Sequence, residues 1–183
     1  MPVRLAGRDV EVETAPGVFS PGRIDLGTQV LLRSVPSPPA TGELLDLGCG
    51  WGPLALTLGM LSPAARVWAV DVNERALDLV RRNAAGLGLT RVTAATPDAV
   101  PDDVRFDAIW SNPPIRIGKD ALHTLLATWL PRLADDATAH LVVQRNLGAD
   151  SLQQWLAAQW PGMLHVERLA SAKGYRVLSV ARR

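Results

Sequence analysis

Residues 44–54 read LLDLGCGWGPL: an apolar run carrying Asp46, then Gly48, Gly50 and Gly52, then Pro53. A short apolar run bounded by glycine suits a strand buried on both faces. Proline suits the first position of a helix, where its missing N–H is no loss. The stretch is therefore a strand, a glycine turn and a helix start. Glycines at such a turn accept strained backbone angles and let a ligand come close. The helix behind them offers free N–H groups and a positive dipole end. In an open α/β sheet this is where ligands bind, at the carboxyl ends of the strands. A dinucleotide loop reads G-x-G-x-x-G. Here the spacing is G-x-G-x-G followed by proline, which disfavours a nicotinamide-dependent oxidoreductase.

Downstream of this turn, strand and helix alternate. ARVWAVD (65–71) is a second strand, and Asn73 caps a helix that runs to about Leu87. TRVTAAT (90–96) is a third strand and VRFDAIWSNPP (104–114) a fourth, ending in a double-proline loop. An amphipathic helix spans 119–131, AHLVVQ (139–144) is a fifth strand, and residues 150–160 are helical. From about Met163 two strands follow, joined by a turn near Lys173-Gly174, which suggests an antiparallel pair at one edge. Upstream, residues 2–14 alternate weakly, as a short hairpin or two edge strands, and LGTQVLLRSV (26–35) is a short helix. PSPPATG (36–42) is a loop. The alternation argues an α/β domain with a largely parallel sheet.

At 183 residues the chain fits one domain, 1–183, with 1–41 as an N-terminal hairpin and helix extension. Its formal net charge of +1 neither demands nor excludes nucleic acid. One cysteine, Cys49, permits no internal disulfide and is better explained as a small buried residue than as a nucleophile. His123, His140 and His165 are isolated, with no metal-ligand spacing, so no metal is expected. No apolar run is long enough for a secretion signal or a membrane span. The expectation is a soluble cytoplasmic protein.

Two further features carry chemistry. Asp71 ends the second strand, 25 residues after Asp46, and an acidic side chain there can accept both hydroxyls of a ribose. The fourth strand runs into Asn112-Pro113-Pro114. Proline fixes its own φ and pushes the residue before it to an extended conformation. The loop therefore presents fixed acceptors, the Asn112 side-chain oxygen and the Pro113 carbonyl. An exocyclic amine has two N–H donors. Two acceptors that grip both can aim its lone pair at an electrophile and favour the nitrogen as it gains positive charge in the transition state. The bland alternative is a rigid turn, for which Asn-Pro is a common start.

Together these features resemble motif I and the amine-binding loop of Rossmann-like class I methyltransferases, which use S-adenosylmethionine (SAM). More narrowly the chain resembles the RsmC-like small-subunit rRNA guanine-N2 methyltransferases. GVFSPGRIDLGTQVLL (17–32), LLDLGCGWGPL, SNPPIRIGK (111–119) and AKGYRVL (172–178) carry that resemblance. It implies a mostly parallel seven-stranded sheet with an antiparallel edge strand and helices on both faces. It implies that Asp46, Gly48, Gly50, Gly52, Asp71, Val72, Asp98 and Ala99 contact SAM, with the Asp25-Leu26-Gly27-Thr28 segment beside the methionyl end. Asn112, Pro113 and Pro114 would hold the target amine. Ile115 stands where many amino methyltransferases carry an aromatic residue, so Phe19 is the residue expected to stack on the base, with Ile115 and Arg116 beside it. The implied partner is RNA, rRNA or a small ribosomal subunit. Arg23, Arg116, Lys119, Lys173 and Arg176 are candidate phosphate contacts; solvated surface charge is the other reading. Adenine or a protein glutamine as methyl acceptor stays open, as does a SAM-binding ribosome-assembly factor without catalysis, and so does the oligomeric state.

Overall fold

The computed structural model describes every residue except Phe19 and Pro21, and the backbone alone of Arg116. The chain opens with β1 (Pro2–Leu5) and β2 (Arg8–Glu11), an antiparallel hairpin in which Pro2 pairs with Glu11. Ala6 and Gly7, between them, both have positive φ, the twist that matches a two-residue hairpin. After a loop comes α1 (Leu26–Ser34), capped by Asp25.

The alternating part follows as β3 (Glu43–Leu47), α2 (Pro53–Leu61), β4 (Arg66–Val70), α3 (Glu74–Gly86) and β5 (Val92–Ala95). β6 (Phe106–Ser111), α4 (Lys119–Trp129), β7 (Leu133–Gln144) and α5 (Ala149–Gln159) continue it, and β8 (Leu164–Ala172) and β9 (Tyr175–Arg182) form the closing hairpin. Seven strands make one sheet in the order β5-β4-β3-β6-β7-β9-β8. The first five in that order run parallel, and β9 runs antiparallel to both β7 and β8. The antiparallel strand is thus β9 of the closing hairpin, one place in from the edge, and the edge strand β8 runs with the other five.

Alternate residues of each strand face opposite cores, as the two-residue period of a strand requires. Leu45, Leu47, Ile109, Leu141 and Val143 meet Leu126 and Trp129 of α4 and Leu152 and Leu156 of α5. Leu44, Val67, Ala108, Trp110 and Val142 meet Val30 and Leu31 of α1, Leu54 and Leu58 of α2, and Leu77 and Val80 of α3. Helices therefore cover both faces. The hairpin's Leu5, with Val12 and Val18, packs on Trp51, Leu56, Ala76 and Leu79 as a third cluster. None of the helices among the described residues is long and apolar enough to cross a membrane.

β7 begins six residues earlier than AHLVVQ suggests, at Leu133. The added stretch carries Asp135 and Asp136, the latter at φ 62, and pairs with β6 through an irregular register between Phe106 and Ala108. A polar, bulged extension lacks the apolar period by which strands are read.

The sheet order has one consequence for function. From β3 the chain steps outward to β4 and β5, then returns to lay β6 on the other side of β3. That reversal opens a crevice beyond the carboxyl ends of β3 and β6, where open α/β sheets bind ligands.

Candidate active site

The carboxyl end of β3 carries the glycine turn. Gly48, Gly50 and Gly52 have φ of 76, 54 and 96 degrees, all left-handed, so each would strain any other residue. Gly52 also caps α2, and a Cβ there would come within 3.0 Å of Val80. Asp46 is buried inside this turn. Its Oδ2 accepts the Ala55 N–H at 2.8 Å, while its Oδ1 is buried with no partner among the described residues. Burial, aided by the nearby Asp71 charge and opposed by the Ala55 hydrogen bond, raises its pKa to about 8. An unpaired buried carboxyl is costly unless a cation or donor reaches it. The Cys49 thiol is buried and its pKa is pushed up, chiefly by burial and then by the Asp46 and Asp71 charges. A thiol kept protonated is a poor nucleophile.

At the carboxyl end of β6, the Ser111 hydroxyl donates to the Leu47 carbonyl at 2.6 Å and ties the tips of β6 and β3 together. Asn112 follows. Its Nδ2 donates to Asp25 Oδ2 at 2.9 Å and to Thr28 Oγ1 at 3.1 Å. The amide nitrogen is thereby turned toward α1, and the side-chain oxygen is left as an acceptor. Pro113 is buried, and its carbonyl accepts the Ile115 N–H at 2.8 Å. A carbonyl oxygen has two lone pairs, so one remains. Pro114 is exposed, and its ring lies 3.6 Å from where a Cβ on Gly48 would stand. The double-proline loop thus abuts the glycine turn. A single cleft is lined by Asp25, Thr28, Asp46, Gly48, Gly50 and Asn112.

Asp71, Val72, Asp98 and Ala99 are not among the residues lining that cleft; they follow β4 and β5, the next strands out from β3. Asp71 sits just past β4, with Oδ2 accepting the Gly50 N–H and Oδ1 the Asn73 N–H, both at 2.9 Å. Each oxygen keeps a second lone pair. Val72 beside it is 83% exposed. Asp98 and Ala99 lie exposed in a 3-10 turn, Pro97–Ala99, just past β5. A hydrogen bond with the Thr96 side chain, then one with its own backbone, holds the Asp98 carboxyl below its ordinary range. Gly27 donates its N–H to Asp25 Oδ2 at 2.8 Å, and Thr28 is buried. Ile115 is half-buried against the core. Phe19 lies outside the described residues, as does the Arg116 side chain. Among the cations, Arg23, Lys119 and Lys173 are exposed. Arg176 is not free: it pairs with Asp150, which also takes Arg168 at 3.1 Å.

Two functional contacts escape sequence reasoning. Asp25 and Thr28 touch Asn112 across more than eighty residues of chain, and Asn83 braces the glycine turn from beneath. For Asp25 a local signal exists, because Asp followed by an apolar-periodic stretch reads as an N-cap; its partner Asn112, just past β6, has none.

Residues 9–179 match the profile described as the methyltransferase small domain. The chain is 32% identical over 178 residues to the Bacillus subtilis protein YbxB, described as uncharacterized, covering 96% of this chain and 87% of that one. It is 36% identical over 139 residues to the ribosomal RNA small subunit methyltransferase C of Aeromonas hydrophila, covering 76% of this chain but 39% of that relative. In structure it resembles the T. thermophilus 16S rRNA N2 G1207 methyltransferase (RsmC), solved with AdoMet and guanosine. The TM-score is 0.86 at 25% identity, over all of this chain and half of that one. The chain therefore spans half or less of the two rRNA methyltransferases.

Proposed function

Because this chain belongs to the methyltransferase small domain family, we propose that it transfers a methyl group from SAM to an exocyclic amine, guanine N2 of ribosomal RNA. The observation that carries the amine reading is the Asn112 side chain. Its NH2 is bonded to Asp25 and Thr28, so its oxygen is the end left for a substrate.

The residues present fit SAM. A buried carboxyl with an unpartnered oxygen suits the ammonium of the methionyl end, and left-handed glycines leave the turn open to close approach. When bound, SAM supplies an activated sulfonium methyl, so no metal and no strong base are required. Asp46 holds the ammonium, with Gly48, Gly50, Gly52, Gly27 and Thr28 around the methionyl end. Asp71 accepts the ribose hydroxyls. Val72 and Ala99 flank the adenine, and Asp98 accepts from its amino group.

Asn112 Oδ1 and the second lone pair of the Pro113 carbonyl accept the two N–H groups of guanine N2. That grip turns the nitrogen lone pair toward the methyl and stabilises the positive charge that grows on nitrogen. The surplus proton leaves from that nitrogen to water after transfer. Pro114 keeps the loop rigid. Phe19, Ile115 and Arg116 receive the base, which must leave its stack to enter, at a cost of about a few kcal/mol. Residues 1–183 act as one domain, with 1–41 as the extension that brings α1 to the site.

The test is transfer from labelled SAM to ribosomal subunits, naked rRNA, DNA and whole-cell protein, all from cells lacking this protein. The expected label is in N2-methylguanosine, falling about 100-fold or more with Asn112→Ala. Label in adenine or in a protein glutamine keeps the amine chemistry and overturns the guanine reading. SAM binding with no label in any acceptor points to a non-catalytic SAM-binding protein.

A further inference from the structure

The Asn112 amide could sit either way round, and the two orientations are opposite for an incoming amine. With oxygen toward the cleft it accepts N–H donors; with NH2 toward the cleft it repels them. A side-chain amide has little shape preference of its own between the two, so its neighbours decide. Here the deciding neighbour is Asp25. A carboxylate only accepts hydrogen bonds, and its Oδ2 lies 2.9 Å from Asn112 Nδ2. A flipped amide would press oxygen against oxygen at that distance.

Asp25 is itself well anchored. The same Oδ2 accepts the N–H of Gly27 at 2.8 Å and of Thr28 at 3.3 Å, the capping bonds of α1. Two otherwise unpaired N–H groups of the first turn of α1 thus hold this oxygen in place. Gly27 leaves room for this arrangement. A Cβ on it would stand 2.9 Å from Asp25 Oδ2 and 2.9 Å from the ring of Tyr175, the first residue of β9. The Thr28 hydroxyl, accepting at 3.1 Å, backs up the carboxylate.

We propose that Asp25 is a positioning residue: it fixes the Asn112 amide with its oxygen toward the methyl acceptor, and so makes the N-terminal extension part of the reaction machinery. The proposal rests on the amine-methylating reading above.

The test compares Asp25→Ser, Asp25→Asn and Asn112→Ala. Serine still caps a helix, but its shorter side chain withdraws the acceptor from Asn112 Nδ2. In Asp25→Ser kcat is expected to fall about 100-fold, while the dissociation constant for SAM stays within about twofold, because orientation acts on the transition state. Asparagine at 25 must turn its oxygen to the Gly27 and Thr28 N–H groups, the place that Oδ2 holds, and so keeps an acceptor for Asn112. Its kcat is expected at least about tenfold above that of Asp25→Ser. A role in capping alone predicts the opposite pattern: kcat near that of the wild type in Asp25→Ser, because the cap is kept.

Side-chain NMR reads the contact without any acceptor. The Asn112 NH2 signals, assigned by their disappearance in Asn112→Asp, should exchange slowly in the wild type and quickly in Asp25→Ser. Equal exchange in the two, or unchanged kcat in Asp25→Ser while Asn112→Ala is inactive, overturns the positioning role alone. Full activity in Asn112→Ala overturns the amine-grip reading beneath it.

Discussion

At the scale of single residues, the buried Asp46 makes the clearest quantitative statement. Its carboxyl, shifted to about pH 8 mainly by burial, keeps its proton at neutral pH in the free protein. An ammonium seated on the unpartnered Oδ1 favours the carboxylate and pulls that pKa back down. SAM binding near pH 7 should therefore release about one proton. Calorimetry in buffers of different ionisation enthalpy reads this directly, and the release should vanish in Asp46→Asn. Affinity should rise with pH up to about 8, because less proton must be expelled at each step. No proton release from the wild type would remove the ammonium from Asp46. The free protein carries the mirror effect: the unfolded chain loses this proton near the ordinary 3.8 and the folded one keeps it to about 8. This residue's contribution to stability is therefore present at low pH and is lost as pH rises through that window.

At the scale of elements, the site is assembled from two parts of the chain that local sequence cannot join. The strands and helices from β3 to α5 were legible because each has a period or a stop signal. Asn73 caps α3 as read, its side chain accepting the Arg75 N–H, and Pro53 stands at the first position of α2. The outer part of β7 was not legible, since Asp135 and Asp136 break the apolar pattern at a bulge. Nor could the bond from Asn112 to Asp25 be read, because nothing local to either residue encodes a contact 87 positions away. Asn83 is the same kind of link for the N-terminal arm. Buried on α3, it accepts the Glu13 N–H at 2.6 Å and donates to the carbonyls of Glu13 at 3.0 Å and Trp51 at 3.2 Å. One side chain thus joins the arm, α3 and the glycine turn. Asn83→Ala leaves a backbone donor and two acceptors without this partner, which should cost about 1–3 kcal/mol. Hydrogen exchange should show where the loss falls. The Glu13 amide and the β1–β2 hairpin are expected to lose protection first, with β3 and β4 unchanged. Uniform loss across the sheet would mean that Asn83 serves the core rather than the arm.

At the scale of the whole molecule, the central sheet carries a second titratable group that the site does not use, and it contributes to the acid limit of the fold. His140 lies in β7 between Trp110 of β6 and Ser179 of β9, buried, with its Nδ1 unpartnered among the described residues. Burial lowers its pKa to about 4, so it stays neutral where an unfolded histidine charges near 6.5. Below that upper value the unfolded chain binds a proton that the folded chain refuses, and stability falls by up to about 1.4 kcal/mol per pH unit. The loss is complete only below about pH 4, where both states are protonated. Over pH 4–6.5 the Asp46 effect runs the other way at about the same slope, so the two largely cancel in the wild type, and single substitutions separate them. His140→Leu removes an unsatisfied buried nitrogen and puts leucine on the sheet face that Val142, two residues on, fills with an apolar side chain. It should therefore match or exceed the wild type at pH 7 and lose less stability between pH 6.5 and 4. Urea unfolding at several pH values measures both slopes. A variant as acid-sensitive as the wild type would place the acid limit in another group, and His140 would then be no more than a filler of the sheet's interior.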